Sequence, residues 1–532
     1  MLVAWMATMG ALVARTYVQA RSLNLASDLA RYGPAAEWRG VYYQGDKIGF
    51  TVSQTTPVAG GFELQEDSRL QMSLLGETTP ATIETRARLD PDFVLESFDF
   101  SLDPGTGPVH VRGDLHGTHV TLLITTSSGQ QREERDLHDV PVLSLSLPRR
   151  LAAEGLRPGL VEHWEIFDPA TLSDQPVTLE VGKREVISAY VPVAIRLRAR
   201  EVVSEAPRPV PAFRVDMSYA GLHTTSWITD SGEVVREESP LGMYTVREPP
   251  DVARRLAIGG RTNAGLLESA AVVPTLTTKK RINDPRDVRL IRLKLDGADL
   301  TSPDLQGAGQ SVDGDIIEIR DARTLQPGPA SDALAADLAP EPLIESDDPE
   351  IHRAALAAVG DATDPRTRAE RLTRRVNAML DKKPTVGLPD AREVLRTKVG
   401  DCNEHTALYV AMARSIGLPA RIAVGLVYAR GAFYYHAWPE VYVARGLWLP
   451  VDPTFNQFPA DATHIRLARG GLDKQTAIVP LIGRVKMTIF DLDLAPNANP
   501  ILVGRRPAQF AELPVPFSTR VGMTCWTSPI SR

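Results

Sequence analysis

Cysteine is nearly absent from this sequence: there are two in 532 residues, Cys402 and Cys525. So few exclude a disulfide-stapled scaffold and a zinc cluster built mainly on thiolates, and each thiol has to be explained singly. An excess of either charge is lacking too. The 59 Lys and Arg against 66 Asp and Glu give a net charge of −7, so no global basic field recommends a nucleic-acid partner. A mean hydropathy of −0.13 excludes a polytopic membrane protein. No Cys-x-x-Cys or His-Glu-x-x-His spacing occurs, so neither a metal nor a cofactor is implied. The pair Gly60-Gly61 has no phosphate-loop pattern around it and reads as a turn.

The N-terminus carries the most apolar composition. Met1 to Ala14 is uncharged, too short to span a bilayer unaided but long enough for the apolar core of a secretory signal. The basic residues that usually precede such a core are missing. Extended past Arg15 through Val18 and Ala20, the stretch makes a weak signal anchor. Residues 1–22 are therefore expected to export the chain to a periplasmic or other extracytoplasmic location, as a cleaved signal or as an inner-membrane anchor. A buried N-terminal helix is the competing reading.

From Trp38 to Leu137, short alternating apolar runs are broken by turn residues such as Gln44-Gly45-Asp46, which is the signature of hairpins. Strands are expected at Phe93–Leu102, His110–Asp114 and His119–Thr125, and again at Phe213–Tyr219, His223–Thr229 and Glu233–Glu238. Residues 35–250 thus read as antiparallel β structure, in one large module or two related ones. Leu156–Lys183 shows no clear period and is expected to carry crossover loops. A small β segment at 251–330 follows, with Val288–Leu295 and Asp315–Arg320 as strands. Ser331–Glu350 then has seven acidic residues, no basic ones and three prolines, the composition of a linker over 331–349. Between Glu350 and Gly470 the balance reverses, with 17 basic and 12 acidic residues, so this +5 segment leaves −12 for the rest of the chain. Ordinary scatter between domains accounts for that; an acidic substrate is the sharper reading. The overall class is α+β, with N-terminal antiparallel β modules ahead of a catalytic domain at 350–490 and a tail at 491–532.

The chemistry is concentrated in the basic segment. Leu388-Pro389-Asp390 opens a helix over Ala391–Thr397, and a short loop leads to Cys402. Leu408, Ala411, Met412 and Ile416 then recur at helical spacing, with Gly417 and Pro419 as the stop. Cys402 therefore sits at a helix N-terminus, where unpaired N–H groups and the macrodipole favour thiolate. Three strands follow, Arg421–Tyr428, Phe433–Val443 and Leu447–Asp452. A three-residue turn with Gly446 left-handed would pair Val443 with Leu447, whereas a two-residue loop would put His436 and Asp452 on opposite faces. In the first register the residue numbers of a pair sum to 890, which puts Asp452 one diagonal step from His436 on the same face. Cysteine at a helix start, histidine in a strand and aspartate after the next strand make a nucleophile, a base and its orienter in chain order.

The blocks around these residues carry more information than the three alone. They are Gly400-Asp401-Cys402-Asn403-Glu404-His405-Thr406-Ala407-Leu408, Gly417-Leu418-Pro419-Ala420-Arg421, His436-Ala437-Trp438-Pro439-Glu440-Val441 and Trp448-Leu449-Pro450-Val451-Asp452-Pro453-Thr454. In this order and spacing they resemble the core of the transglutaminase-like superfamily, across residues 350–470. Asn456–Ile465, with Pro459-Ala460-Asp461-Ala462-Thr463-His464, resembles an extension found in bacterial members. The resemblance implies a papain-like fold with Cys402 as nucleophile, His436 as general base and acid, and Asp452 as orienter. It implies action on amide bonds of a protein or peptide substrate through a thioester, resolved by an amine or by water. Two rivals are an exported cysteine peptidase that never uses amine acceptors and a non-catalytic binding scaffold.

Other residues are weighed against ordinary roles. Trp438 falls on the face of His436 and shields it from water or simply packs. His405, three residues after Cys402, and His464 read as structural. Asp401 and Glu404 complement the helix N-terminus. Cys525 lies in a Pro- and Ser-containing tail as a free thiol. Oligomeric state is not legible in the sequence.

Overall fold

The computed structural model describes Tyr32 and residues 36–496, apart from 75–76, 104–107, 127–128, 198–199, 220–221, 240–241, 256–270, 298–303, 330–333, 384–388, 471–477 and 479–480. The expected export segment and Cys525 lie outside the described residues. Among the described residues no helix is long and apolar enough to cross a membrane.

A 14-stranded antiparallel sheet forms the N-terminal half. Its first eight strands are β1 (Glu37–Tyr43), β2 (Asp46–Val58), β3 (Gly61–Leu74), β4 (Glu77–Leu89), β5 (Leu95–Asp103), β6 (Val109–His116), β7 (His119–Thr126) and β8 (Gly129–Asp136). After helix α1 (Leu147–Ala153) come β9 (Val161–Asp168), β10 (Ser173–Leu197), β11 (Arg200–Tyr219), β12 (Leu222–Ile228), β13 (Val234–Glu238) and β14 (Met243–Arg247). Two meanders run outward from a central β1–β14 pair, leaving β8 and β9 at the ends. The alternation behind these strands is clearest in β6, where Val109, Val111, Gly113 and Leu115 point inward and their neighbours outward.

The sheet is curled. Phe98 on β5 and Phe167 on β9 are far apart in strand order, yet their ring centroids are 5.5 Å apart. The segment after β8 closes the seam, with Val142 bridging Ile166 of β9 and Leu137 and Leu143 buried against both ends. Leu156–Lys183, expected to carry crossover loops, instead supplies β9 and the start of β10. The period is hidden there because β9 buries only Ile166 and Phe167 fully, and because a bulge between Val181 and Arg184 interrupts β10.

A five-stranded sheet follows, in the order β15 (Thr275–Leu276), β25 (Lys486–Leu494), β16 (Val288–Asp296), β18 (Ile316–Arg320) and β17 (Gln310–Asp313). Its central partner β25 comes from the far side of the catalytic segment. That segment holds α2 (Pro349–Val359), α3 (Pro365–Met379), α4 (Ala391–Thr397) and α5 (Cys402–Ser415). The short pair β19 (Asp381–Lys382) and β20 (Val399–Gly400) joins their loops, and a four-stranded sheet runs β23 (Leu447–Pro450), β22 (Ala432–Ala444), β21 (Ala420–Ala429), β24 (Ile465–Arg469). Asp348, Asp364 and Asp390 each cap the helix that follows with a carboxylate on its first free N–H groups.

Helix α5 is buried along almost its whole length, from Glu404 to Arg414, between the other helices and the sheet. The acidic stretch before α2 packs on this module: Ile344 is buried and Glu341 pairs with Arg414 at 2.7 Å. The curled sheet touches it through Thr126, whose hydroxyl donates to the Asp390 carboxylate at 2.6 Å.

Strand β24 comes very close to β21. A Cβ placed on Gly425 would lie 2.0 Å from the Ile465 carbonyl oxygen, a backbone atom that cannot move aside alone. Gly425→Ala is therefore expected to push β24 away from the sheet and to cost about 1–3 kcal/mol, read as a lower thermal unfolding midpoint.

Candidate active site

Three elements present the predicted residues. Cys402 is the first residue of α5, and its helix start is secured by a reciprocal capping box: Asp401 accepts from Asn403 N–H at 2.9 Å, and Glu404 accepts from Asp401 N–H at 2.8 Å. The two acids thus have the role expected of them. His436 lies in β22, opposite Gly425 in the ladder. Asp452 follows β23 after the strand has ended at Pro450.

The hairpin register matches the expectation over most of its length. Glu440 pairs with Pro450, Val441 with Leu449 and Tyr442 with Trp448, and Gly446 has a φ of +63°. The last step differs, because Ala444 rather than Val443 meets Leu447 across a bulge. His436 Nε2 donates to Asp452 Oδ2 at 2.8 Å. Asp452 accepts only, so this bond assigns the proton to Nε2 and leaves Nδ1 for exchange with other groups. Packing of α5 on β22 brings Cys402 to the strand that carries His436, where the backbone N–H of Ala437, the next residue, favours the ionised sulfur.

Electrostatics at Cys402 run against a standing thiolate. Burial pushes its pKa well above the ordinary value, and the carboxylates of Asp401, Glu404 and Asp452 push the same way. Only the Ala437 N–H pulls down. A helix N-terminus contributes about 0.3–2 kcal/mol, less than burial beside three acids removes. The thiolate expected from the helix start is therefore not the resting form, and the sulfur needs a base to give up its proton.

Asp452 is fully buried and has three donors. Besides His436, His464 Nε2 donates to the same Oδ2 at 3.0 Å, and Phe455 N–H donates to Oδ1 at 2.9 Å. Burial alone would raise the Asp452 pKa, but His436 and His464 hold it far below the ordinary carboxylate range. His464 is the residue whose place the sequence did not reveal: it reads as structural but shares the carboxylate of the candidate orienter. Its place in the Asn456–Ile465 block that resembles bacterial members is the one sequence feature that could have marked it. Burial alone would lower the His464 pKa, but Asp452 and Asp461 overcome it and push it up to about 9.

Phe455, not singled out in the sequence, stacks on His436 with ring centroids 4.8 Å apart and planes 7° apart. Trp438 lies farther away, at 6.1 Å, and stands nearly perpendicular to His464, with ring centroids 5.1 Å apart and planes 82° apart. His405 is buried, and its Nδ1 donates to the Asp401 carbonyl at 2.6 Å, so it braces the turn that holds Cys402. Burial pushes its pKa down, which keeps it neutral. The ligand-type atoms of His436, Asp452 and His464 lie within 4.8 Å of one another, but both Nε2–H groups are already spent on the one carboxylate oxygen.

Two outcomes follow from these charges. Alkylation of Cys402 by iodoacetamide at pH 7 is expected to fall at least about tenfold in His436→Ala, because a thiol with raised pKa then has no base. Separately, His464 binds its proton more tightly folded than unfolded. The stability it contributes is full below about pH 6.5 and is lost as pH rises through about 9, a change of order 3 kcal/mol. Unfolding midpoints measured across pH 6–10 should fall on this limb, and His464→Gln should flatten it.

Residues 353–453 match the sequence model of the transglutaminase-like superfamily, a span that contains Cys402, His436 and Asp452 and ends before His464. No curated protein matches the sequence. Among solved structures, similarity extends to a candidate cysteine protease from Cytophaga hutchinsonii, with 13% identity, 39% of this chain and 85% of that one covered, and a TM-score of 0.27. A β-barrel-like protein of unknown function from Brucella abortus is similar at 11% identity, covering 40% of this chain and 94% of its own, with a TM-score of 0.28. A candidate protease from Parabacteroides distasonis is similar at 12% identity, with 57% and 68% covered and a TM-score of 0.21. From the ordered blocks around Cys402, His436 and Asp452 and from the sequence match that encloses them, the chain carries a domain of the transglutaminase-like superfamily over residues 353–453.

Proposed function

We propose that this protein is a cysteine enzyme that cleaves or transfers amide bonds of protein or peptide substrates through a thioester on Cys402. The observation that carries the reading is the buried His436–Asp452 bond of 2.8 Å made from β22, the strand against which α5 packs with Cys402 at its first position. In this mechanism His436 Nδ1 takes the thiol proton as the sulfur attacks the amide carbonyl, forming the C–S bond. Negative charge moves to the carbonyl oxygen. The Cys402 N–H, which the helix start leaves out of the intrahelical ladder, is placed to receive it. His436 then delivers its proton to the departing nitrogen as the C–N bond breaks.

The thioester is consumed by a second nucleophile. A primary amine or water attacks the same carbonyl, gives its proton to His436, and the thiolate leaves and is reprotonated. Asp452 keeps Nε2 protonated and the ring oriented throughout. Stacking by Phe455 covers one face of the imidazole, which limits exchange of its proton with bulk water.

Incubation of the full chain with a glutamine-rich protein and a fluorescent primary amine separates the two resolutions. Incorporated label means transfer to an amine, and new protein N-termini mean hydrolysis. Cys402→Ala is expected to lower whichever activity appears by at least about 10³-fold. Equal activity in that variant and the native chain would end the proposal.

A further inference from the structure

The mechanism above employs one of the two histidines on Asp452. The other, His464, is 5% exposed, and both its ring nitrogens face acceptors alone. Nε2 meets Asp452 Oδ2 at 3.0 Å, while Nδ1 meets the Asp461 carbonyl at 3.1 Å and Asp461 Oδ1 at 3.4 Å. A neutral imidazole carries one lone pair, which in this setting would point at an oxygen; only the doubly protonated cation satisfies every contact. Asp461 cannot turn away to relieve the conflict. Its Oδ2 accepts from the Gln457 amide at 2.8 Å, and its Oδ1 accepts from the Thr463 N–H and hydroxyl at 3.0 and 2.6 Å.

The other groups around the ring leave that charge in place. His436 and Trp438 stand across it in T-shaped contacts, with centroids 6.0 and 5.1 Å away. Glu440 and Arg466, which line a small gap beside it, neutralise each other through a bond of 2.5 Å, and Arg320 lines the same gap. His464 is therefore a cation fixed about 6 Å from the catalytic imidazole, on the same carboxylate oxygen.

We propose that His464 is a positioning residue for the catalytic pair: clamped by Asp461, it pins the Asp452 carboxylate against His436 and offsets part of its charge. This rests on the reading of Cys402, His436 and Asp452 as the reacting set. The sign of the effect does not depend on how the proton is divided between sulfur and imidazole. A nearby positive charge disfavours every protonated state of the pair, and its removal makes the pair hold its proton to higher pH. At about 6 Å in a protein interior, the displacement is one to two pH units.

The test compares His464→Gln with the native full chain, following the pH dependence of Cys402 alkylation by iodoacetamide, which needs no substrate. The acid limb of the profile is expected to move up by about one to two units. A rate lowered equally at every pH, with the limb unmoved, would mean a merely structural role and overturn the inference. Histidine ¹⁵N NMR of the native chain gives a second measurement that no folding defect can spoil. Both His464 nitrogens are expected to carry protons at pH 7, and a neutral ring there would overturn the inference as well. Should the protein act on no amide at all, both readouts would still report the charge on His464, so the two readings fail separately.

Discussion

A carboxylate with no water around it governs this site. Asp452 is fully enclosed, and an ion in that position is tolerated only when hydrogen-bond donors replace its hydration. Two imidazoles and the Phe455 N–H do so, and much of the local chain exists to deliver them. Asp452 and Gln457 exchange both backbone hydrogen bonds, at 2.9 and 2.8 Å, closing a tight loop; Gln457 then holds Asp461, and Asp461 holds His464. The loop returns as β24 against Gly425, the ladder partner of His436. A single buried charge thus fixes the path of the chain from Asp452 to Ile465.

A second buried anion, Glu440, sits on β22 four residues after His436. Glu440 is held between Arg421 at 2.7 Å and Arg466 at 2.5 Å, and Arg421 lies over the Trp448 ring at 3.8 Å. Arg466 also donates to the backbone carbonyls of Asp304 and Gln306, beyond the catalytic segment. The catalytic strand is therefore held at Glu440 by compensated charge, which resists motion more strictly than apolar packing does, since a small shift would strand an ion without a partner.

How much of this was legible depended on whether the signal was local. Helix α4 begins and ends where Asp390 and the following spacing put it, because a cap is a local device. Strands β21 and β22 differ from the expected ranges by a residue or so at each end, and the register of β22 against β23 followed from one left-handed glycine. The bulge at Val443 left no trace in the residue types. Strands β9 and β10 were missed because neither displays an unbroken period of two. The resting state of Cys402 was misjudged because the helix start is visible in sequence, whereas the burial that outweighs it depends on what folds over it. His464 lies twelve residues past Asp452, and nothing in that interval announces that the chain turns back.

Strand β25 has a consequence for what counts as the unit of this protein. It pairs with β16 across nearly two hundred residues, and the core it completes includes Leu426, Phe433, Ile465 and Leu467 from the catalytic sheet. One face of the catalytic sheet is therefore dry only when segments from before residue 300 and after residue 480 have met over it. The stretch that matches the superfamily therefore shares its core with segments on both sides of it. Closing so long a loop is slow, because its entropy has to be overcome before any contact rewards it. During synthesis the thiol, the imidazole and the carboxylate all emerge before the strand that seals their support, so the nascent chain carries the reacting groups for some time before it has the framework that holds them in register.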